Sequence, residues 1–118
     1  MATTTVSFIN SYTARIFVAY QRKNPVCAQD CGQPWDVLGW IQLDPTERQT
    51  RANPTGSRWF YYRAEAVDGT IWDGDWDGDV RLEEFQKCDC LGVSSPSWRR
   101  VAFDQLDLNE FSGVTFVA

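Results

Sequence analysis

Along most of this chain, hydrophobic and polar side chains alternate with a period of two, the spacing that sends successive residues to opposite faces of a strand. Val6-Ser7-Phe8-Ile9 opens the series. Residues 15–20 follow, with Ile16, Val18 and Tyr20 on one face. After a long loop come residues 37–43, then a weaker stretch at 48–51. Residues 58–66 are the strongest candidate, because Trp59, Phe60, Tyr61 and Tyr62 suit a pleated surface. That run leads into Asp68-Gly69, a dipeptide that favours a tight hairpin turn, and returns through Thr70-Ile71-Trp72. Residues 100–103 and 114–117 complete the pattern. The reading predicts an all-β, single-domain β-sandwich over residues 1–118, with about seven or eight short antiparallel strands. One short helix is expected from Leu82, directly after an acidic loop.

That loop, Asp73 to Glu84, is where the sequence speaks about chemistry. It reads D-G-D-W-D-G-D-V-R-L-E-E and follows the spacing of the twelve-residue EF-hand loop. Asp73, Asp75 and Asp77 fall where carboxylates bind Ca²⁺, Asp79 where a backbone carbonyl does, and Glu84 where a bidentate carboxylate closes the shell. Gly78 takes the place of the turn glycine, and Val80 that of the apolar anchor. Crowded carboxylates repel one another, and a divalent cation offsets that repulsion. The competing reading is a solvated hairpin extension whose Asp-Gly pairs only turn the chain. Trp76 and Arg81 are unusual occupants of such a loop, and a strand precedes it where an EF-hand has a helix.

Charge narrows the partners. Sixteen acidic against eleven basic residues give a formal charge of −5, which argues against a nucleic-acid partner. The chain has no histidine, which removes the commonest general base and the histidine-dependent triads. A non-enzymatic role is therefore expected. No apolar run is long enough to span a bilayer, and the first residues lack a basic-then-apolar leader. On that basis the expectation is a soluble protein without membrane insertion, cytoplasmic or exported without a leader.

The four cysteines form two close pairs, Cys27 with Cys31 and Cys88 with Cys90. Disulfides between the two segments, a tetrathiolate Zn²⁺ site and free thiols all fit. A Cys88–Cys90 bond would be strained, and Cys-x-Cys lies outside the usual zinc spacing. Among the six tryptophans, Trp40, Trp59 and Trp72 fall in strands and read as packing. Trp35, Trp76 and Trp98 fall in loops and are candidates for an exposed contact surface.

Several short pieces of the chain resemble a bacterial domain-of-unknown-function family, family 1036. They are Gly39-Trp40 with Pro45, Tyr61-Tyr62 with Ala64-Glu65, Asp68-Gly69, Trp72-Asp73-Gly74, Phe85, and Arg100-Val101 with Phe103. The resemblance spans nearly the whole chain and implies a compact, mostly β domain with no established activity. Thr46 stands where that pattern has glycine, and the aspartates after Trp72 are not part of it.

The expected function is thus a calcium-binding β domain acting as a binding or interaction module toward a protein or glycan. A lectin-like carbohydrate-binding module is the first alternative. A structural or assembly subunit that self-associates through sheet edges or aromatic loops is the second. A hydrolase using Asp104 and Asp107 is the weakest, since no carboxylate spacing or pocket signal supports it.

Overall fold

The computed structural model describes residues 4–31, 34–88 and 98–117. Among them run ten strands and one helix. They are β1 (Thr4–Asn10), β2 (Ile16–Lys23), α1 (Val26–Cys31), β3 (Trp35–Leu43), β4 (Arg48–Asn53), β5 (Trp59–Ala66), β6 (Ile71–Trp72), β7 (Trp76–Val80), β8 (Phe85–Cys88), β9 (Arg99–Asp107) and β10 (Gly113–Phe116). A small sheet has the order β10-β1-β4, with β1 and β10 parallel. A larger sheet has the order β7-β9-β5-β2-β3-β8, and β6 pairs with β5 beside that path. The fold is an all-β sandwich, as the alternation of the chain predicts.

The period-two pattern explains the main core. Ile16, Val18 and Tyr20 leave one face of β2, and Phe60, Ala64 and Ala66 leave the same face of β5. They meet Val6, Phe8 and Phe116 from the small sheet. Phe8 stacks on Phe116 at 6.4 Å and Tyr20 on Phe60 at 5.5 Å between ring centroids. The wholly buried Asn10 is fully employed: its amide donates to the Ala14 and Leu43 carbonyls, and its side-chain oxygen accepts from Tyr12 N–H. Such pairing removes the cost of burying an amide.

The other face of the large sheet has a second core, because that sheet curls. Ala19, Val37, Val80, Phe85 and Phe103 pack together there. In a flat sheet β7 would lie roughly 14 Å from β2, three strand spacings away. Instead the buried Gln21 on β2 donates from Nε2 to the Asp77 carbonyl on β7 at 3.0 Å. Trp40 on β3 likewise donates from Nε1 to the Arg81 carbonyl, just past β7, at 2.7 Å. Gly78 makes this approach feasible, since a Cβ there would stand 2.5 Å from Gln21 Nε2 and 2.6 Å from the Phe103 ring. The glycine read from sequence as a turn residue is therefore a close-packing glycine inside a strand.

Three expectations need correction. The segment after Trp72 is not a loop followed by a helix: it contributes β7 and then β8, and Leu82 is exposed in the connection. The one helix lies elsewhere, in the stretch read as a long loop. Asn24 caps α1 by accepting from Val26 N–H at 3.2 Å, and Pro25 leads into it, a combination that favours helix starts. The strand count is ten rather than seven or eight among the described residues, β6 being only two residues long.

Two features generate tests. Cys27 and Cys88 form a disulfide that ties α1 to β8 across 61 residues. Closing a loop of that length restricts the unfolded chain by about 4 kcal/mol. The Cys27→Ser, Cys88→Ser double variant is expected to lose that order of stability in urea unfolding; a loss below about 1 kcal/mol would show the bridge to be incidental. Thr46 has φ of 73°, in the turn where Glu47 N–H bonds the Asp44 carbonyl. A β-branched residue is penalised in that left-handed region. Thr46→Gly is expected to raise stability by about 0.5–1 kcal/mol, the left-handed penalty less the added chain entropy of glycine.

Candidate functional site

The curled face leaves an opening at one end, and three aromatic rings stand around it. Gln21 pairs with Tyr61 across β2 and β5, and Tyr61 pairs with Gln105 across β5 and β9, so all three side chains leave the same face. Trp35 belongs to that face on β3, two residues before Val37, the partner of Gln21. Trp76 joins it on β7 as the partner of Phe103. Trp35 and Tyr61 lie 5.4 Å apart at 73°, and Tyr61 and Trp76 lie 5.4 Å apart at 55°. Together with Gln21 and Asp77 the rings line a cavity of about 200 Å³. Gln21 is its floor, held by the bond to the Asp77 carbonyl.

Tyr61 is the centre of the arrangement. Its hydroxyl accepts from Gln105 Nε2 at 3.1 Å, which fixes the ring between the two tryptophans. Trp76 keeps 47% of its surface exposed, an unusual outlay for a large ring that could have been buried. Two of the three tryptophans expected on a contact surface, Trp35 and Trp76, are thus brought to one mouth. Trp98 is not: it packs edge-on against Phe85 at 5.2 Å, with the Arg81 guanidinium 5.3 Å from its ring. Tyr61 and Gln21 were missed in the sequence, although alternation along β5 already puts Tyr61 on a face with Trp59 and Arg63.

The other end of the same concave face is closed by charge. Glu65 accepts from Arg63 at 2.7 Å and from Arg99 at 2.9 Å. Its burial works against ionisation, but the two guanidinium groups prevail and hold its carboxyl below the ordinary glutamate range.

The carboxylates of residues 73–84 do not converge. Arg63 Nη1 lies 3.4 Å from Asp73, while Arg100 lies 3.3 Å from Asp79 and 3.9 Å from Asp77. Asp75 is exposed. Glu84 is exposed beside a different cavity, one lined also by Tyr20 and Arg51. Among the described residues no three His, Cys, Asp or Glu side chains gather closely enough to hold a metal ion. An EF-hand loop wraps its oxygens around the cation, whereas an extended strand sets Asp77 and Asp79 roughly 6.6 Å apart along its axis. As folded, Asp73, Asp75, Asp77, Asp79 and Glu84 do not fit the calcium shell read from their spacing.

The remaining candidates separate similarly. A tetrathiolate zinc site needs four thiolates, and the sulfurs of Cys27 and Cys88 are bonded to each other. Cys31 ends α1, and Cys90 lies outside the described residues. Asp104 and Asp107 sit three apart on β9, so they leave opposite faces. Asp104 accepts from the Tyr62 hydroxyl at 2.8 Å, and burial together with that partner pushes the Tyr62 phenol well above its ordinary range. Asp107 accepts from Arg58 at 3.0 and 2.8 Å. Compared with protein-family models, curated proteins and solved structures, the chain matches none.

The acidic strand generates a test. Millimolar Ca²⁺ is expected to leave the melting temperature unchanged, because the Asp73 and Asp79 carboxylates already face guanidinium groups. Arg100→Ala is expected to cost about 1–3 kcal/mol by removing a charged partner from the buried Asp79. A rise of several degrees with Ca²⁺ that Glu84→Gln abolishes would reinstate the calcium loop.

Proposed function

We propose that this chain is a non-enzymatic binding module that takes a small convex group into the mouth formed by Trp35, Tyr61 and Trp76. The observation that carries the reading is the convergence of rings from β3, β5 and β7 above one buried amide, Gln21. Concave, mostly apolar sites with a few convergent polar groups are where proteins take ligands. The cavity of about 200 Å³ is small against ordinary ligand pockets, so a headgroup or a single side chain suits it better than an extended polymer. A binding role is favoured over catalysis because the carboxylates nearest a catalytic pattern, Asp104 and Asp107, leave opposite faces of β9 and are engaged by Tyr62 and Arg58.

The test is a fragment titration followed through the indole N–H signals of the six tryptophans. The panel contains methyl glucoside, choline, phenol and an acetylated amino acid amide. At least one fragment is expected to shift the Trp35 and Trp76 signals saturably. Trp72, whose Nε1 donates to the Val117 carbonyl, is expected to stay still. Tyr61→Ala and Trp76→Ala should each weaken that fragment about tenfold. Shifts spread evenly over all six indoles, or none at tens of millimolar fragment, would refute the reading.

A further inference from the structure

We propose that the group this mouth receives is a methylated or quaternary ammonium, an inference that rests on the binding site just described. The ring geometry points there first. A flat sugar ring is best met by an open platform of one or two exposed faces. Here Tyr61 is inclined at 73° to Trp35 and at 55° to Trp76, so the rings form three walls at angles to one another. Inclined walls of tryptophan and tyrosine suit a rounded cation, whose charge is attracted to the electron-rich face of each ring.

The polar groups around the mouth weigh on the fit in both directions. Gln21 commits one of its two Nε2 hydrogens to the Asp77 carbonyl. Asp77 follows Trp76 directly and its side chain leaves the opposite face of β7, with Arg100 3.9 Å away, so its carboxylate acts on a bound cation only at a distance. The chain as a whole carries −5, which favours encounter with a cation. One charge opposes the fit: Lys23 is exposed and pairs in register with Trp35. That opposition makes the proposal sharp, because a sugar would gain a hydrogen-bond donor from Lys23 whereas an ammonium is repelled by it.

The experiment compares three probes on the full chain by tryptophan fluorescence and indole N–H shifts: choline, its uncharged isostere 3,3-dimethylbutanol, and methyl glucoside. Choline is expected to bind saturably, the isostere about tenfold more weakly, and the glucoside not at all. Trp76→Ala should abolish choline binding, and Lys23→Gln should tighten it about threefold. Trp76 and Lys23 are exposed, so circular dichroism of those variants should match the parent and exclude unfolding as the cause. Equal binding of choline and its isostere overturns the ammonium assignment while leaving a working apolar mouth. Binding of methyl glucoside with loss on Lys23→Gln overturns it in favour of a sugar. Silence of all three probes, with a hit elsewhere in the fragment panel, also overturns it, and silence of the entire panel removes the binding site itself.

Discussion

One hydrogen bond between strands that are not neighbours sets the shape of this molecule. Gln21 on β2 reaches the Asp77 carbonyl on β7, although β5 and β9 lie between them in the sheet. Both ends of that bond are committed: the Gln21 side chain is buried, and an unpaired amide there would carry its full desolvation cost. Sheets twist of their own accord, but twist alone does not bring third neighbours into contact. The contact needs a strand without a side chain at the crossing, and Gly78 provides it. The Trp40 bond to the Arg81 carbonyl makes a second latch farther along the same seam.

The curl divides the labour of the two faces. One face of the large sheet meets the small sheet through Phe8, Phe60 and Phe116 and carries the bulk of the apolar burial. The other face folds on itself around a smaller cluster centred on Phe103 and Val37. A self-enclosed face has ends, and side chains there cannot be wholly covered. At one end the exposed edge is neutralised by ion pairs among Arg63, Glu65 and Arg99. At the other it is left to rings, which tolerate partial exposure and keep a face available for contact.

The strands of the main core were legible because their alternation has one meaning: Ile16, Val18 and Tyr20 have nowhere to go but inward. The acidic segment forms strands rather than a loop and helix, and its pattern has two meanings. Asp73, Asp75, Asp77 and Asp79 recur every second residue, which matches both the ligand spacing of a calcium loop and the outward face of a strand. The residues between them decide. Gly74, Trp76, Gly78 and Val80 are the inward set, and a loop has no use for a tryptophan there, whereas a curled strand does. Asn24-Pro25 is a start signal for the helix, but its six residues carry little periodicity. The mouth was only half legible. Alternation places Tyr61 on the right face, but nothing local says that β7 will cross back over β2 and bring Trp76 to it.

The same long-range origin bears on how well the mouth is organised. Tyr61 lies inside β5 with strands paired on both sides, so its backbone is fixed by two ladders and its ring by Gln105. Trp35 and Trp76 are each the first residue of their strand, where pairing holds one side only. The central wall is therefore rigid, and the flanking walls have some freedom to close on whatever enters. Ordering few side chains on binding keeps the entropic cost low, and a rigid centre with adjustable flanks meets that condition while still admitting a ligand. The arrangement also explains why the seam bond matters more to the site than to the core. Loss of the Gln21 contact would leave Phe8, Phe60 and Phe116 packed as before, and its effect would fall on the seam that brings Trp76 opposite Trp35.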